Sequence, residues 1–391
     1  MRQKPYYPNI VTTGGYSINH ANSNPATSVT RLGNPNVSYH VLNQIRAAVI
    51  KDDETVNYYL DPTDFTKKEN GQASTLTGAD GQVMIYKPGY WRKVVTDGDM
   101  LYIYWSINPL PDYTYSQPYW IGQQLGYIDG GGKLCSIHGV MPTVNKHRDE
   151  FRTAARLRGS NNWCVFPYEV WQFINDAFRI KYATLNSQAT PPAGLGIGAT
   201  NASSTDWNNF NAYNPVVACG LKLTLDDAQV PFSVANFVGG TGTLNSNAAC
   251  FYGIEHVFGH LWQWVDGLNL NYNTVESVNY QDAYICLNPA QFADNTATNY
   301  TKLDGQMPAT SGYISKTHAG LIPSSITGGG SATYYCDYYY AGSAGVGWRG
   351  AFAGGLLGSD AYAGLACSLF INAASVRISY LGSRLCLRVN N

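Results

Sequence analysis

The sequence predicts an α+β protein. Four short runs, GQVMIYKP, MLYIYWSI, GLKLTL and VPFSVANF, are rich in β-branched and aromatic residues and close at Pro, Gly or Asp, as strands do. Two longer segments have helical spacing instead: HRDEFRTAARLR (147–158), and PYEVWQFINDAFRIKYATL (167–185), which sets Val170, Phe173, Ile174 and Phe178 along one face. Each is expected to pack on the sheet.

Residues 1 to about 40 are rich in Asn, Pro, Ser, Gly and Thr without apolar periodicity, which reads as an extended arm. From Val41, the spacing of Val41, Ile45 and Val49 predicts a short helix. The expected division is therefore 1–52, an arm and short helix serving attachment or assembly, followed by 53–391, one ligand-binding domain. Residues 186–215 form a polar Gly/Asn/Ser loop, and the glycine triplets at 130–132 and 328–330 read as turns. The chain becomes Tyr-rich from about Gly312, then Gly/Ala-rich, and ends in the alternating tail SRLCLRV.

Charged residues are 13% of the 391, about half the usual share, while Gly numbers 40 and Tyr 30. Such a surface is uncharged and aromatic. A formal net charge of −1 gives no pull towards nucleic acid or anionic membrane, so a polar or sugar-like partner fits better. The eight cysteines lack CxxC spacing and read as buried free thiols. MRQKPYYPNI has no apolar run behind its basic residues, so synthesis in a cytoplasm without a secretory signal is expected. The weakly charged run 350–376 is broken by Gly354-Gly355, Gly358-Ser359-Asp360 and Gly364, which predicts short strands and turns and no membrane insertion.

After Lys316 the chain contains four arginines but no Lys, Glu, Gln or Met, although the first 316 residues hold 37 of those four types. The same rate would place about 9 there. Codons made by randomising the adenines of AAC or AAT reach Arg, Tyr, Ser, Leu, Val, Ile and Asp, and never Lys, Glu, Gln, Met or Trp. A deliberately diversified surface has this composition. A buried Gly/Ala-rich sheet that avoids long polar side chains has it too.

His256 and His260 stand at i, i+4 with Glu255 beside the first, a spacing that presents two imidazoles to one metal if the segment is helical. Gly253 and Gly259 weaken that helix and the order is not HExxH, so a structural pair is the plainer reading and no metal or other cofactor is expected. Asp52-Asp53 and Asp226-Asp227 read as solvated loop charges, with Ca²⁺ ligation the alternative. GxSxG and P-loop motifs are absent.

Gly259, Trp262 and Trp264 resemble the Gly-Asn-Val-Trp-Glu-Trp element of the formylglycine-generating-enzyme branch of the C-type lectin fold, with His260 and Gln263 in place of its Asn and Glu. The order GWRGAFAGG (347–355), AYAGLA (361–366), NAAS (372–375) and GSRLCLR (382–388) is similar to the variable proteins of diversity-generating retroelements. DGQVMIYKPGYWRKV (80–94) also resembles lectin-fold tail proteins of bacteriophages, particularly those infecting gut bacteria. The resemblance implies a C-type lectin fold with a long insertion and a variable region at about 337–384. Trp348, Arg349, Gly354, Gly355, Gly364, Ser375, Gly382 and Arg384 become its fixed scaffold. The implied ligand-binding residues are Leu356, Leu357, Ser359, Asp360, Tyr362, Ala366, Ser368, Phe370, Val376, Arg377, Ile378 and Tyr380, every one reachable from a mutated AAC or AAT codon. Tyr338, Tyr339 and Tyr340 would add aromatic contact area.

The function so implied is binding, without catalysis: a receptor-binding protein of a phage tail, made in the host cytoplasm and carried on the virion. Its partners would be a bacterial surface protein or glycan, other virion tail proteins, and copies of itself in a homo-oligomer such as a trimer. The alternatives are a bacterial surface adhesin diversified by a retroelement, and a copper oxidase of the formylglycine-generating type. The oxidase needs two closely spaced cysteines near the C-terminus, whereas Cys336 lies 31 residues from Cys367 and 50 from Cys386.

Overall fold

Strands outweigh helices in the computed structural model, which describes residues 12–189, 195, 217–235, 243–275, 278–342 and 345–390. With 39% strand against 11% helix, the α+β expectation is overturned and the fold is β-rich. Many strands have two to four residues, among them Leu134–Cys135, Trp163–Val165, Ser368–Phe370 and Leu381–Gly382. Alternation cannot be read over so few positions, so the two long helical segments had dominated the prediction.

Three sheets build the body. A five-stranded sheet runs in the order Val29–Gly33, Gly14–Asn19, Met100–Ser106, Tyr90–Asp97, Thr114–Ser116. In a seven-stranded sheet, the tail strand Leu385–Arg388 sits between Trp163–Val165 and Tyr119–Gly122, followed by Gln82–Lys87, Ala47–Ile50, Val56–Asp61 and Asp64–Lys68. The third sheet is centred on the long strand Trp262–Val275, which pairs with Val278–Ile285, Gly347–Ala353 and Leu381–Gly382. Gly347–Ala353 continues it through Ser368–Phe370 to Tyr338–Ala341 and Gly312–Tyr313.

The expected N-terminal arm is corrected at 14–33. Strand Gly14–Asn19 lies inside the five-stranded sheet, and Tyr16 and Ile18 are fully buried. The Tyr16 hydroxyl donates to Asp176 Oδ1 at 2.5 Å. Polar composition misled here because the strand is buried on both faces with small residues, Gly14, Gly15 and Ser17, beside Tyr16 and Ile18, so it enters the core without an apolar run. Residues 1–11 lie outside the described segments, and the expected boundary at 52/53 falls in the tight connection between Ala47–Ile50 and Val56–Asp61.

Three α-helices are present among the described residues. The first, α1, is Pro35–Leu42, started by the Asn34 side chain accepting from the Asn36 N–H, with proline at the first helical position. It precedes the helix expected from Val41, Ile45 and Val49. The residues 47–50 instead form a strand buried at every position, and a short apolar run of this kind fits either periodicity. The other two, α2 (Arg148–Arg156) and α3 (Tyr168–Tyr182), match the predicted segments, although α3 stops at Ala183 in a left-handed conformation. GLKLTL makes no strand; its Lys222 N–H donates to Glu255 in an irregular segment. The predicted 186–215 loop lies mostly outside the described residues.

Both longer helices are fixed by buried ions. Arg152 of α2 holds Asp266 bidentately at 2.7 and 2.9 Å, and Arg148 reaches Asp294 at 2.8 Å and the Leu268 carbonyl at 2.8 Å. Asp176 of α3 accepts from Arg92 Nε at 2.7 Å as well as from Tyr16. Each carboxylate is thus both desolvated and neutralised. Deleting residues 1–20 should therefore abolish cooperative unfolding, and Tyr16→Ala should cost about 3–5 kcal/mol, as a buried aromatic truncation does. Urea denaturation followed by tryptophan fluorescence measures both; a truncated chain with an unchanged midpoint would restore the arm.

Candidate ligand-binding face

The strand Tyr338–Ala341 alternates, so Tyr338 and Tyr340 face outwards while Tyr339 and Ala341 point into the core. Tyr339 is fully buried, and its hydroxyl donates to Gln281 Oε1 at 2.7 Å. The expectation that Tyr339 contacts ligand is thereby corrected. Tyr362 comes from a short 3₁₀ turn, Asp360–Tyr362, and lies 4.7 Å from Tyr338 and 6.4 Å from Tyr340, ring centre to ring centre. Tyr313 joins them at 5.1 Å from Tyr338 and 5.5 Å from Tyr362. These four rings form one aromatic platform, with Tyr362 44% exposed.

Tyr313 was missed by sequence reasoning. Its strand, Gly312–Tyr313, has two residues and joins the platform only by pairing with Tyr338–Ala341. The Tyr-rich composition from Gly312 onwards was the available signal.

The twelve implied binding residues divide. Asp360, Tyr362 and Arg377 are exposed, and Leu356, Val376, Ile378 and Tyr380 are half-buried. The half-buried four pack beside Tyr340 and Leu369 on one buried cluster that includes Trp262, Trp264, Phe352 and Leu381. Leu357, Ser359, Ala366, Ser368 and Phe370 are buried, which corrects their assignment as surface contacts. Leu357 fills a cluster with Phe232 and Cys250, and Phe370 meets Tyr339 edge-on at 5.5 Å. The Ser359 hydroxyl accepts from the Leu356 N–H, and the Ala366 N–H donates to Asp337 Oδ2. Codon reachability could not separate the two groups, because small and apolar types serve a core as well as a surface.

The backbone under this face is clamped from outside. Trp171 Nε1 and Asn175 Nδ2 of α3 both donate to the Leu365 carbonyl, at 2.7 and 3.0 Å, and the Leu365 N–H donates to Ser187. The carbonyls of Ala374, Ile378 and Tyr380 accept from Arg148, Asn145 and Trp262 N–H groups. Gly364 is required for space: a Cβ there would stand 1.8 Å from Asp337 Oδ1. Asp337 is fully enclosed, and burial pushes its carboxyl up to about 8. Arg377 is held by His147 Nε2 at 2.8 Å and Glu150 at 3.0 Å, at the start of α2.

The scaffold assignments divide as well. Arg384 is buried, donating to the carbonyls of Gly122, Gln123, Glu255 and His256 and to Gln263 Oε1. Gln263, which stands where the resembled element has Glu, thus meets a guanidinium, and Trp262 and Trp264 are buried beside it. Trp348 and Arg349 are only half-buried, Trp348 against Tyr284 at 5.3 Å and Arg349 over Tyr272 at 5.4 Å. Ser375 is exposed.

His256 and His260 are not on a helix. Residues 251–261 form turns and isolated bridges, His256 has φ 50°, and the two rings stack at 4.0 Å with 18° between planes. Stacked rings carry their in-plane lone pairs side by side, which does not converge on one ion. Desolvation holds both imidazoles neutral, His260 down to about 3. Among the described residues no cluster of three His, Cys, Asp or Glu fits a metal. Asp52 is occupied by Lys133 and Arg158, Asp226 by Lys222, and Asp227 by Lys181. All eight cysteines are buried free thiols, and burial raises that of Cys386 to about 12. No described helix is long and apolar enough to cross a membrane.

In comparisons with known proteins, no family model matches the chain and no curated protein matches it.

Arg384→Met should cost about 3–5 kcal/mol, since it strips donors from buried carbonyls, whereas Arg349→Met should stay within about 1 kcal/mol. Thermal melts of both variants check this; equal losses would contradict it. The acids give a second expectation. A carboxyl raised in the folded state from about 3.9 to about 8 is protonated when folded and ionised when unfolded between those values, so stability falls as pH rises through that window. Asp337→Asn should flatten this part of the stability profile, measured by urea midpoints from pH 4 to 8, while Glu255, raised to about 7, contributes a remaining slope of the same sign.

Proposed function

We propose that this chain is a receptor-binding protein with a diversified C-terminal face, carried on a phage tail and attaching it to a protein or glycan of the bacterial surface. The observation that carries the reading is the coincidence of two things in one segment. The stretch lacking Lys, Glu, Gln and Met places Leu356, Asp360, Tyr362, Val376, Arg377, Ile378 and Tyr380 at or near the surface, on a backbone clamped by residues from elsewhere. Side chains there can change without moving the main chain. The tyrosine platform supplies large, stiff, amphipathic contact area at small entropic cost, as in binding loops selected for affinity. Membership among the variable proteins of diversity-generating retroelements is part of the same proposal.

Burial sharpens the genetic test. A non-coding repeat near the gene should nearly copy the codons for 340–386, with adenines at the mismatches. Those mismatches should fall on the seven exposed or half-buried positions and spare Leu357, Ala366 and Phe370, whose replacement would open or overfill the core. Sequencing the flanking DNA in several isolates checks this; substitutions concentrated at the buried positions would refute the reading. In the protein, Tyr338→Ala and Tyr362→Ala should each move stability by roughly 1 kcal/mol or less. Each should weaken adsorption to the bacterial host by more than about 1–2 kcal/mol, measured by titrating labelled protein onto cells.

A further inference from the structure

Helix α2 has a second end. Its first turn meets Arg377 of the tyrosine-bearing face through Glu150, while Arg158, just past its last turn, enters a polar cleft of about 630 Å³. Nine helical residues separate the two by about 13 Å. The cleft lies between the turn after Ala47–Ile50, the loop 77–81 and the hairpin Tyr127–Ile128 with Leu134–Cys135.

Six charges line it, and they cancel: Lys51, Lys133 and Arg158 against Asp52, Asp80 and Asp129. Asp52 is already spent on Lys133 at 2.7 Å and on Arg158. Asp129 Oδ1 is taken by the N–H groups of Gly131 and Lys133, both at 2.9 Å. With these carboxylates engaged, and a basic group beside them, the cleft is no cation site. With the charges balanced, and Lys133 and Arg158 already engaged by Asp52, a phosphate is disfavoured as well.

What remains open is neutral and mixed. Gln82 is 4% exposed, and its Oε1 accepts from the Ser136 N–H at 2.8 Å, which fixes the amide orientation and leaves Nε2 as a donor with no acceptor among the described residues. Asn57 uses Nδ2 on the Asp80 carbonyl at 2.9 Å and keeps Oδ1, and Asp80 uses Oδ2 on Tyr58 and keeps Oδ1. A nearly buried amide donor set between amide and carboxylate acceptors asks for groups that donate and accept at once, which hydroxyls do. The walls at Gly78, Ala79 and Gly81 are small enough to admit a ring.

We infer that this cleft binds a neutral pyranose, with Gln82 Nε2 donating to a ring hydroxyl and Asn57 Oδ1 and Asp80 Oδ1 accepting from its neighbours. The site is separate from the tyrosine face and does not rest on the function proposed for that face.

The test is calorimetric titration of the full chain with the methyl glycosides of glucose, galactose and mannose, together with glucuronate, inorganic phosphate and CaCl₂. At least one neutral glycoside should bind with Kd of about 1 mM, a common strength for a few hydrogen bonds. Gln82→Glu, which keeps the Ser136 contact but removes the donor, should weaken it about tenfold, and Ala79→Trp, which fills the cleft from an exposed position, should abolish it. Tyr338→Ala and Tyr362→Ala should leave it unchanged. Absence of binding by every neutral glycoside, binding insensitive to both cleft variants, or tighter binding of phosphate or Ca²⁺ would overturn the proposal.

Discussion

Among the described residues the Arg384 guanidinium meets no carboxylate in a salt bridge; four main-chain carbonyls and one amide oxygen, drawn from residues 122–123, 255–256 and 263, solvate it. A cation removed from water is costly unless every donor is met, and here the protein itself supplies the hydration shell. Desolvation still holds this guanidinium down, to about 10. The same arrangement joins three distant parts of the chain. Arg384 immediately precedes the last strand of the seven-stranded sheet, Gly122 ends the neighbouring strand, and Gln263 is the second residue of the long strand of the third sheet. The turn holding His256 is fixed by its carbonyl, and so the histidine stack and the loop at Leu357, whose N–H donates to the His260 carbonyl, inherit their positions from it.

The helices act as struts between sheets. Arg148 and Arg152 bind Asp266 and Asp294 beside the irregularity between Val265 and Asn269 in the long strand, where the ladder to Gly347–Ala353 is interrupted. On α3, Asp176 ties the N-terminal sheet through Tyr16 and Arg92. Buried ion pairs contribute little net stability compared with apolar packing, but breaking one partner is expensive, so such pairs select one arrangement of sheets over its neighbours. That selection places the Leu365 carbonyl against Trp171 and Asn175, and through it the turn that carries Tyr362.

Under the proposed function, a rigid backbone carrying changeable side chains is what would reconcile binding with change. Ordering a loop on contact costs affinity, and a loop already held by donors on α3 and by acceptors on Ser187 and Asp337 has little left to order. Large aromatic rings add area with few rotatable bonds. The seven exposed or half-buried positions and the four tyrosines share this support, whereas the interleaved buried ones, Leu357, Ala366 and Phe370, are part of it.

The sequence by itself determined the local elements with enough length to show a period: α2, α3, and the strands at 82–87, 100–106 and 228–235. It also located the unusual segment, since the missing residue types after Lys316 need no coordinates. Tertiary structure decided the rest. Whether Gly14–Asn19 is an arm or a central strand depends on pairing with Met100–Ser106, more than 80 residues away, which local composition does not encode. Whether Leu357 or Leu356 faces water depends on one hydrogen bond to the His260 carbonyl and on the Phe232 cluster. Arg349 and Arg384 are chemically identical in sequence, and only the closing of three chain segments around one of them makes it the buried cation. Burial is a property of what packs against a residue, and those partners lie far off along the chain.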